Sequence, residues 1–172
     1  LKTEEDKLKG THPYDVSKIC CDYLARSYIE NFGMKIAITR CANIYGPTDK
    51  HMTRLIPYCI ERAKKNQPIL IRSNGRAKRD YVYIEDVVDA YLALYKNDAV
   101  GVFNFGTGQA YTSLQVAGLV KQMLKSKSKI IVQNIAKNEI QEQSLNSSQA
   151  KKILGWTAQY DLRKGLKEIC RK

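Results

Sequence analysis

Apolar positions along the chain fall into short runs separated by polar stretches that carry Gly and Pro, and the spacing within each run predicts its element. Between residues 14 and 31, Val16, Cys20, Tyr23, Leu24, Ser27 and Tyr28 recur on one helical face, and Gly33 stands where a helix stop belongs. Residues 35–39 read as a buried strand and 40–49 as a loop punctuated by Gly46 and Pro47. A second amphipathic helix over 53–65 closes at Asn66 and Pro68, and 69–71 is a short strand. Residues 72–80 read as a basic, glycine-containing loop, followed by a strand at 81–84. A helix over 85–96 comes next, with the acids Glu85 and Asp86 in its first turn, where they suit the helix dipole. A strand at 102–105 ends at Gly106. Thr112 and Gln115 have the spacing of a capping box and open a helix to about residue 125, followed by a strand at 129–132. Helices at 147–154 and 162–171 flank Gly155 and Trp156.

Strands alternating with helices predict an α/β fold, but this handful of short strands is few for a complete doubly wound sheet, so further strands are expected upstream. The opening Leu1, Lys2, Thr3, Glu4 is neither an initiator nor a signal peptide, which adds to the expectation of a fragment. At 172 residues and 44% apolar composition, the chain has the size of one domain with a real core. No run approaches the roughly 18 apolar residues of a membrane span.

Five cysteines, Cys20, Cys21, Cys41, Cys59 and Cys170, make an odd set without C-x-x-C spacing, which points to a reducing cytoplasm. His12 and His51 are too few to complete a metal site, so no metal is expected. The excess of 29 basic over 17 acidic residues, +12 in all, favours anionic partners such as nucleotides, nucleic acid or acidic lipid. The basic residues are scattered and no nucleic-acid motif is present, so neither nucleic acid nor membrane is expected as a partner.

Tyr14 and Lys18 lie four apart on the first predicted helix, one turn from each other on the same face. A phenol titrates near 10 and serves as a base near neutral pH only beside a cation that stabilises the phenolate. Tyr160 and Lys164 have the same spacing, so spacing alone leaves two candidates.

Context separates them. His12, Pro13, Tyr14, Asp15, Val16, Ser17, Lys18 resembles the P-Y-x-x-S-K segment of the extended short-chain dehydrogenases/reductases, the NAD-dependent epimerases and dehydratases. Three further stretches are similar to that family in order: residues 39–47 to its R-x-x-N-x-Y-G-P strand and loop, 79–87 to its R-D-Y segment, and 104–108 to its N-x-G-x-G turn. The resemblance runs on to Leu154, Gly155, Trp156 and is closest, at residues 12–18 and 71–75, to CDP-glucose 4,6-dehydratases.

The resemblance implies the second half of a Rossmann-type domain, residues 1–45 and 80–108, interleaved with a small α/β substrate domain, residues 46–79 and 109–172. It makes Tyr14 the base that takes a proton from a sugar hydroxyl, usually at C4, and gives Tyr14 and Lys18 the nicotinamide end of NAD. Lys18 lowers the phenol's pKa and holds the nicotinamide ribose. Asn43 and Arg79 are implied to bind the sugar diphosphate, and Leu55 and Arg72 to contact the nucleotide base, where many relatives place an aromatic near Arg72. Gln141 occupies the likely position of a second diphosphate arginine. Tyr160 is set aside as packing.

The G-x-x-G-x-x-G fingerprint is absent, and Gly106, Thr107, Gly108 reads as a tight turn, so NAD is expected to be held mainly by a missing amino-terminal half. Thr3, Glu4, Glu5 is rejected as a dehydration acid pair. The expected activity of the intact protein is C4 oxidation of a nucleotide-diphosphate sugar followed by elimination or epimerisation and return of the hydride. The 172-residue chain alone is expected to be inactive. The resemblance allows a homodimer for the intact protein. The alternative is a truncated, non-catalytic sugar-nucleotide-binding or scaffold protein.

Overall fold

The computed structural model describes residues 1–136 and 141–171. Among the described residues, fourteen elements follow one another: α1 (Pro13–Phe32), β1 (Ala37–Cys41), β2 (Asn43–Tyr45), α2 (Leu55–Lys64), β3 (Ile69–Ile71), β4 (Lys78–Tyr83), α3 (Ile84–Lys96), β5 (Gly101–Phe105), β6 (Ala110–Thr112), α4 (Ser113–Met123), β7 (Ile130–Val132), β8 (Glu142–Gln143), α5 (Ser148–Leu154) and α6 (Leu162–Cys170). The expected α/β alternation holds. α1 starts on Pro13, whose missing N–H costs nothing at that position, and ends on left-handed Gly33 at φ 63°. α4 carries the capping box, with Gln115 N donating to Thr112 Oγ1 and Thr112 N to Gln115 Oε1.

β1 and β5 form a parallel pair with Ala37 opposite Gly101 and Cys41 opposite Phe105. β4 is the hub of a second sheet: its outer half, Tyr81–Tyr83, pairs in parallel with β2, and its inner half with antiparallel β6 and parallel β8. β3 and β7 form a third, parallel pair. The strands β2, β6 and β8 are not predicted from the sequence. Each has three residues or fewer, and it is pairing with β4 that makes them strands.

Two apolar clusters hold these layers. One gathers Val82, Val87, Ala90, Leu94, Phe103, Phe105, Ala150 and Trp156 between β5, α3 and α5, with the Trp156 ring edge-on to Phe105 at 5.0 Å. The Trp156 Nε1–H donates to Asp86 O at 2.9 Å, so the indole is buried without an unpaired donor. The other cluster joins α2, α4, α6 and β3 through Ile56, Cys59, Ile60, Ile69, Val116, Val120, Leu162 and Leu166. Gly165 lets α6 seat on Tyr45, because a Cβ there would collide with the tyrosine ring and hydroxyl.

α1 departs from the sequence reading. Val16, Tyr23, Leu24 and Tyr28 are exposed, and the one buried residue of the helix is Asp22. Neither cluster takes a residue from α1.

Candidate functional site

Tyr14 and Lys18 occupy the first two turns of α1, both exposed, with Tyr14 at 64%. The Lys18 ammonium lies 5.7 Å from the Tyr14 ring centroid. Four residues connect the end of α1 at Phe32 to the start of β1 at Ala37, and Arg40 near the carboxyl end of β1 touches Asp22 back in the middle of the helix, so the chain doubles back and the helix is antiparallel to the strand. Eight residues at 1.5 Å rise put Tyr14 about 12 Å further on, beyond the carboxyl end of β1. That is the end from which the chain runs straight on into Asn43 and β2, and it is where open parallel sheets place ligands.

The second tyrosine–lysine pair is arranged to hold its proton. The Tyr160 hydroxyl donates to Glu85 Oε2 at 2.7 Å, and that hydrogen bond, with burial and the carboxylate's charge, pushes the phenol up to about 12. Lys164 lies over the ring face at 4.1 Å, and its ammonium donates to Gln159 O. The Tyr160 ring is stacked at a tilt on Tyr83 at 4.5 Å.

Asn43 and Arg79 are brought onto neighbouring strands, Asn43 opposite Tyr81 and therefore two residues along β4 from Arg79. Asn43 is exposed; Arg79 is half-buried and donates from Nη1 to Lys78 O at 2.9 Å. Gln141 precedes β8, and its carbonyl accepts from Lys78 N. Leu55 opens α2 and packs half-buried against the apolar cluster of that helix. Arg72 is exposed just after β3, its carbonyl accepting from Ile135 N and Ala136 N. A cavity of about 400 Å³ lies between residues 45–50, Met52, α2 and Ile169, and none of Asn43, Arg79, Gln141, Leu55 and Arg72 lines it. Among the described residues no group of His, Cys, Asp or Glu is arranged to hold a metal ion, and no helix is long and apolar enough to cross a membrane.

Two acids have roles that the sequence reading missed. Asp80, beside Arg79 and 3% exposed, accepts from Thr107 N, Thr107 Oγ1, Gly108 N and Leu145 N at 2.6–3.2 Å. It thereby fixes β4, the turn at 106–108 and the chain after β8 to one another. The Gly106 position sits so close to this carboxylate that a Cβ would strike Asp80 Oδ2. A buried side chain that satisfies three backbone donors is costly to remove. Asp80→Ala is therefore expected to lower stability by about 3 kcal/mol in urea denaturation, and Asp80→Asn by less. A loss below about 1 kcal/mol for the alanine variant would contradict this account. Glu4 is also buried, and its Oε1 accepts from Asn104 N at 2.8 Å, which ties the amino-terminal segment to β5. A glycine beside a strand and a buried Asp two dozen residues earlier were the available signals, but neither shows from sequence which amides the carboxylate reaches.

Comparison with known proteins adds four findings. The model of the NAD dependent epimerase/dehydratase family matches residues 1–106. A dTDP-D-glucose 4,6-dehydratase of Dictyostelium discoideum is 36% identical over 115 residues, 66% of this chain and 26% of that protein. Among solved structures, the UDP-glucose 4-epimerase of Thermotoga maritima with UDP-glucose superposes with a TM-score of 0.91 at 28% identity, covering 99% of this chain and 56% of that one. A dTDP-glucose 4,6-dehydratase of Streptomyces venezuelae with NAD bound gives 0.88 at 25% identity, covering 99% and 53%. The chain thus spans about a quarter to a half of the length of these proteins, and its parallel α/β arrangement is that of Rossmann-type epimerases and dehydratases.

Proposed function

The chain belongs to the NAD dependent epimerase/dehydratase family, and from that premise we propose that it supplies the proton-transfer and substrate-holding side of a nucleotide-sugar dehydratase or epimerase. The observation that carries this reading is the contrast between the two tyrosine–lysine pairs. Tyr14 is open at the ligand-binding end of β1 with an ammonium one turn away, whereas Tyr160 is tied to a carboxylate.

In this reading Tyr14 takes the proton of the sugar C4 hydroxyl, and Lys18 stabilises the phenolate that must exist for it to do so. Asn43 and Arg79 hold the diphosphate, the arginine through a planar fork suited to phosphate oxygens. Leu55 and Arg72 face the base. A nicotinamide cofactor, when bound, supplies an acceptor for the C4 hydride and its later return. The exposed Tyr14 and Lys18 fit the nicotinamide end of such a cofactor. The pyrophosphate end lacks a fit here: the amides of Thr107 and Gly108, at the most glycine-rich turn, are already taken by Asp80. We therefore assign most of the dinucleotide contact to residues outside this chain, in keeping with its span of about half the solved relatives. The division into a cofactor-side part, 1–45 with 80–108, and a substrate-side part, 46–79 with 109–172, is followed only in part by the two apolar clusters: α5 and Trp156 pack with the first part, and Tyr45, Tyr81 and Tyr83 with the second.

The test is conversion of nucleoside-diphosphate sugars by the whole protein, followed by proton NMR of the product with CDP-, dTDP- and UDP-glucose. A 4-keto-6-deoxy product identifies a dehydratase and a C4 epimer an epimerase. Binding without conversion of any of the three would replace the enzymatic reading with a non-catalytic binding protein.

A further inference from the structure

We propose that Arg40 is a positioning residue that sets the helix bearing Tyr14 and Lys18, acting through Asp22. α1 is twenty residues long, yet no apolar side chain of it is buried and neither core cluster includes it. A part-buried ion pair attaches it to β1. Arg40, on β1, donates from Nε to Asp22 Oδ2 at 2.8 Å and from Nη2 to Asp22 Oδ1 at 3.1 Å, a two-pronged grip. Its third nitrogen, Nη1, donates to Glu4 O at 3.0 Å, and Glu4 in turn accepts from Asn104 N on β5. Arg26, one turn along α1, donates to the same Asp22 Oδ1 at 2.8 Å. One guanidinium thus joins the helix, the central strand pair and the amino-terminal segment.

The geometry is specific to these residue types. Asp22 is 7% exposed and Arg40 15% by side chain, so the pair is screened little by solvent. Burial alone raises the Asp22 carboxyl, but the hydrogen bonds and charges of Arg40 and Arg26 outweigh it and leave it below its ordinary value. A lysine at position 40 carries its three donors on a single nitrogen and cannot reproduce the fork on both Asp22 oxygens while also reaching Glu4. Asp22 lies four residues from Lys18 and eight from Tyr14, all on one face of α1. A slip at Asp22 is therefore transmitted along the helix to both groups. Neither core cluster takes a side chain from α1 that would correct it.

This inference rests on the reading of Tyr14 and Lys18 given above, and the experiment separates the two. In the whole protein, Arg40→Met and Asp22→Asn are compared with wild type for kcat, for KM of the sugar nucleotide, and for hydrogen exchange of peptides within residues 14–32. A displacement of reacting groups by about 1 Å costs on the order of a hundredfold, so both variants are expected to lose about that in kcat. KM is expected to stay within about twofold, since Asn43, Arg72 and Arg79 are carried by other elements. Exchange is expected to rise in α1 and stay unchanged in α2 and α4. Arg40→Lys is expected to recover only part of kcat, and Arg40→Met with Asp22→Asn to be no worse than the more damaged single variant, as for one coupled pair. Asp22→Asn keeps the side chain's shape and serves if Arg40→Met does not fold. A lower melting temperature with unchanged kcat and unchanged α1 exchange would overturn the proposal. Full turnover by Tyr14→Phe, alongside loosened α1 in Arg40→Met, would instead remove the catalytic reading and leave the helix attachment standing.

Discussion

Tyr14→Phe is expected to abolish turnover by the whole protein while leaving its fold and its melting temperature unchanged. The substitution removes one hydroxyl from a ring that is 64% exposed, so neither core cluster loses a contact. A positioned general base contributes about two to four orders of magnitude, each order being about 1.4 kcal/mol of barrier. The expected loss is therefore about three orders of magnitude in kcat. Tyr160→Phe is the internal control, because its phenol already donates to Glu85 and is pushed up to about 12, chiefly by that hydrogen bond. A group held in its protonated form by a carboxylate 2.7 Å away is no base at neutral pH, and its loss is expected to leave turnover unchanged. Steady-state kinetics with circular dichroism of both variants decides the matter. Wild-type turnover by Tyr14→Phe, or equal losses in both, would remove Tyr14 from the chemistry.

What the sequence made legible was local. Thr112 and Gln115 announced the start of α4 because both halves of a capping box lie within four residues, and Gly33 marked the stop of α1 because a left-handed residue there needs no Cβ. β2, β6 and β8 were illegible because two or three residues carry no periodicity, and their pairing partner, β4, is tens of residues away in all three cases. α1 misled in the opposite direction. Its apolar recurrence is real, but periodicity tells only which residues share a face, not whether anything in the described chain covers that face. The supporting residues around the candidate site were the hardest to see. Asp80 and Arg40 each act across distance, the first on amides at 107, 108 and 145, the second on Asp22 and the Glu4 carbonyl. A charged residue inside a strand signals that a partner must exist; which partner is a property of the fold.

The 172-residue chain is expected to bind a nucleoside-diphosphate sugar weakly and NAD hardly at all. Dinucleotide affinity depends on a βα turn whose free amides and helix dipole face the pyrophosphate. In this chain the sharpest glycine turn has its amides spent on Asp80, and β1 leads through Ala42 into another strand rather than into a helix. A sugar nucleotide relies instead on side chains, and Asn43 and Arg79 are present on adjacent strands of one sheet. Calorimetric titration with NAD and with CDP-glucose separates the two ligands. The expected result is a Kd for NAD weaker than about 1 mM, less than about 4 kcal/mol of binding, with a measurable isotherm for CDP-glucose that Arg79→Ala erases. Arg79 is the residue to change because a guanidinium on a diphosphate forms paired, charge-assisted hydrogen bonds. Micromolar binding of NAD would require a dinucleotide site elsewhere in these residues and would overturn the assignment of the cofactor's pyrophosphate to residues outside the chain. An unchanged CDP-glucose isotherm in Arg79→Ala would move the diphosphate away from β4.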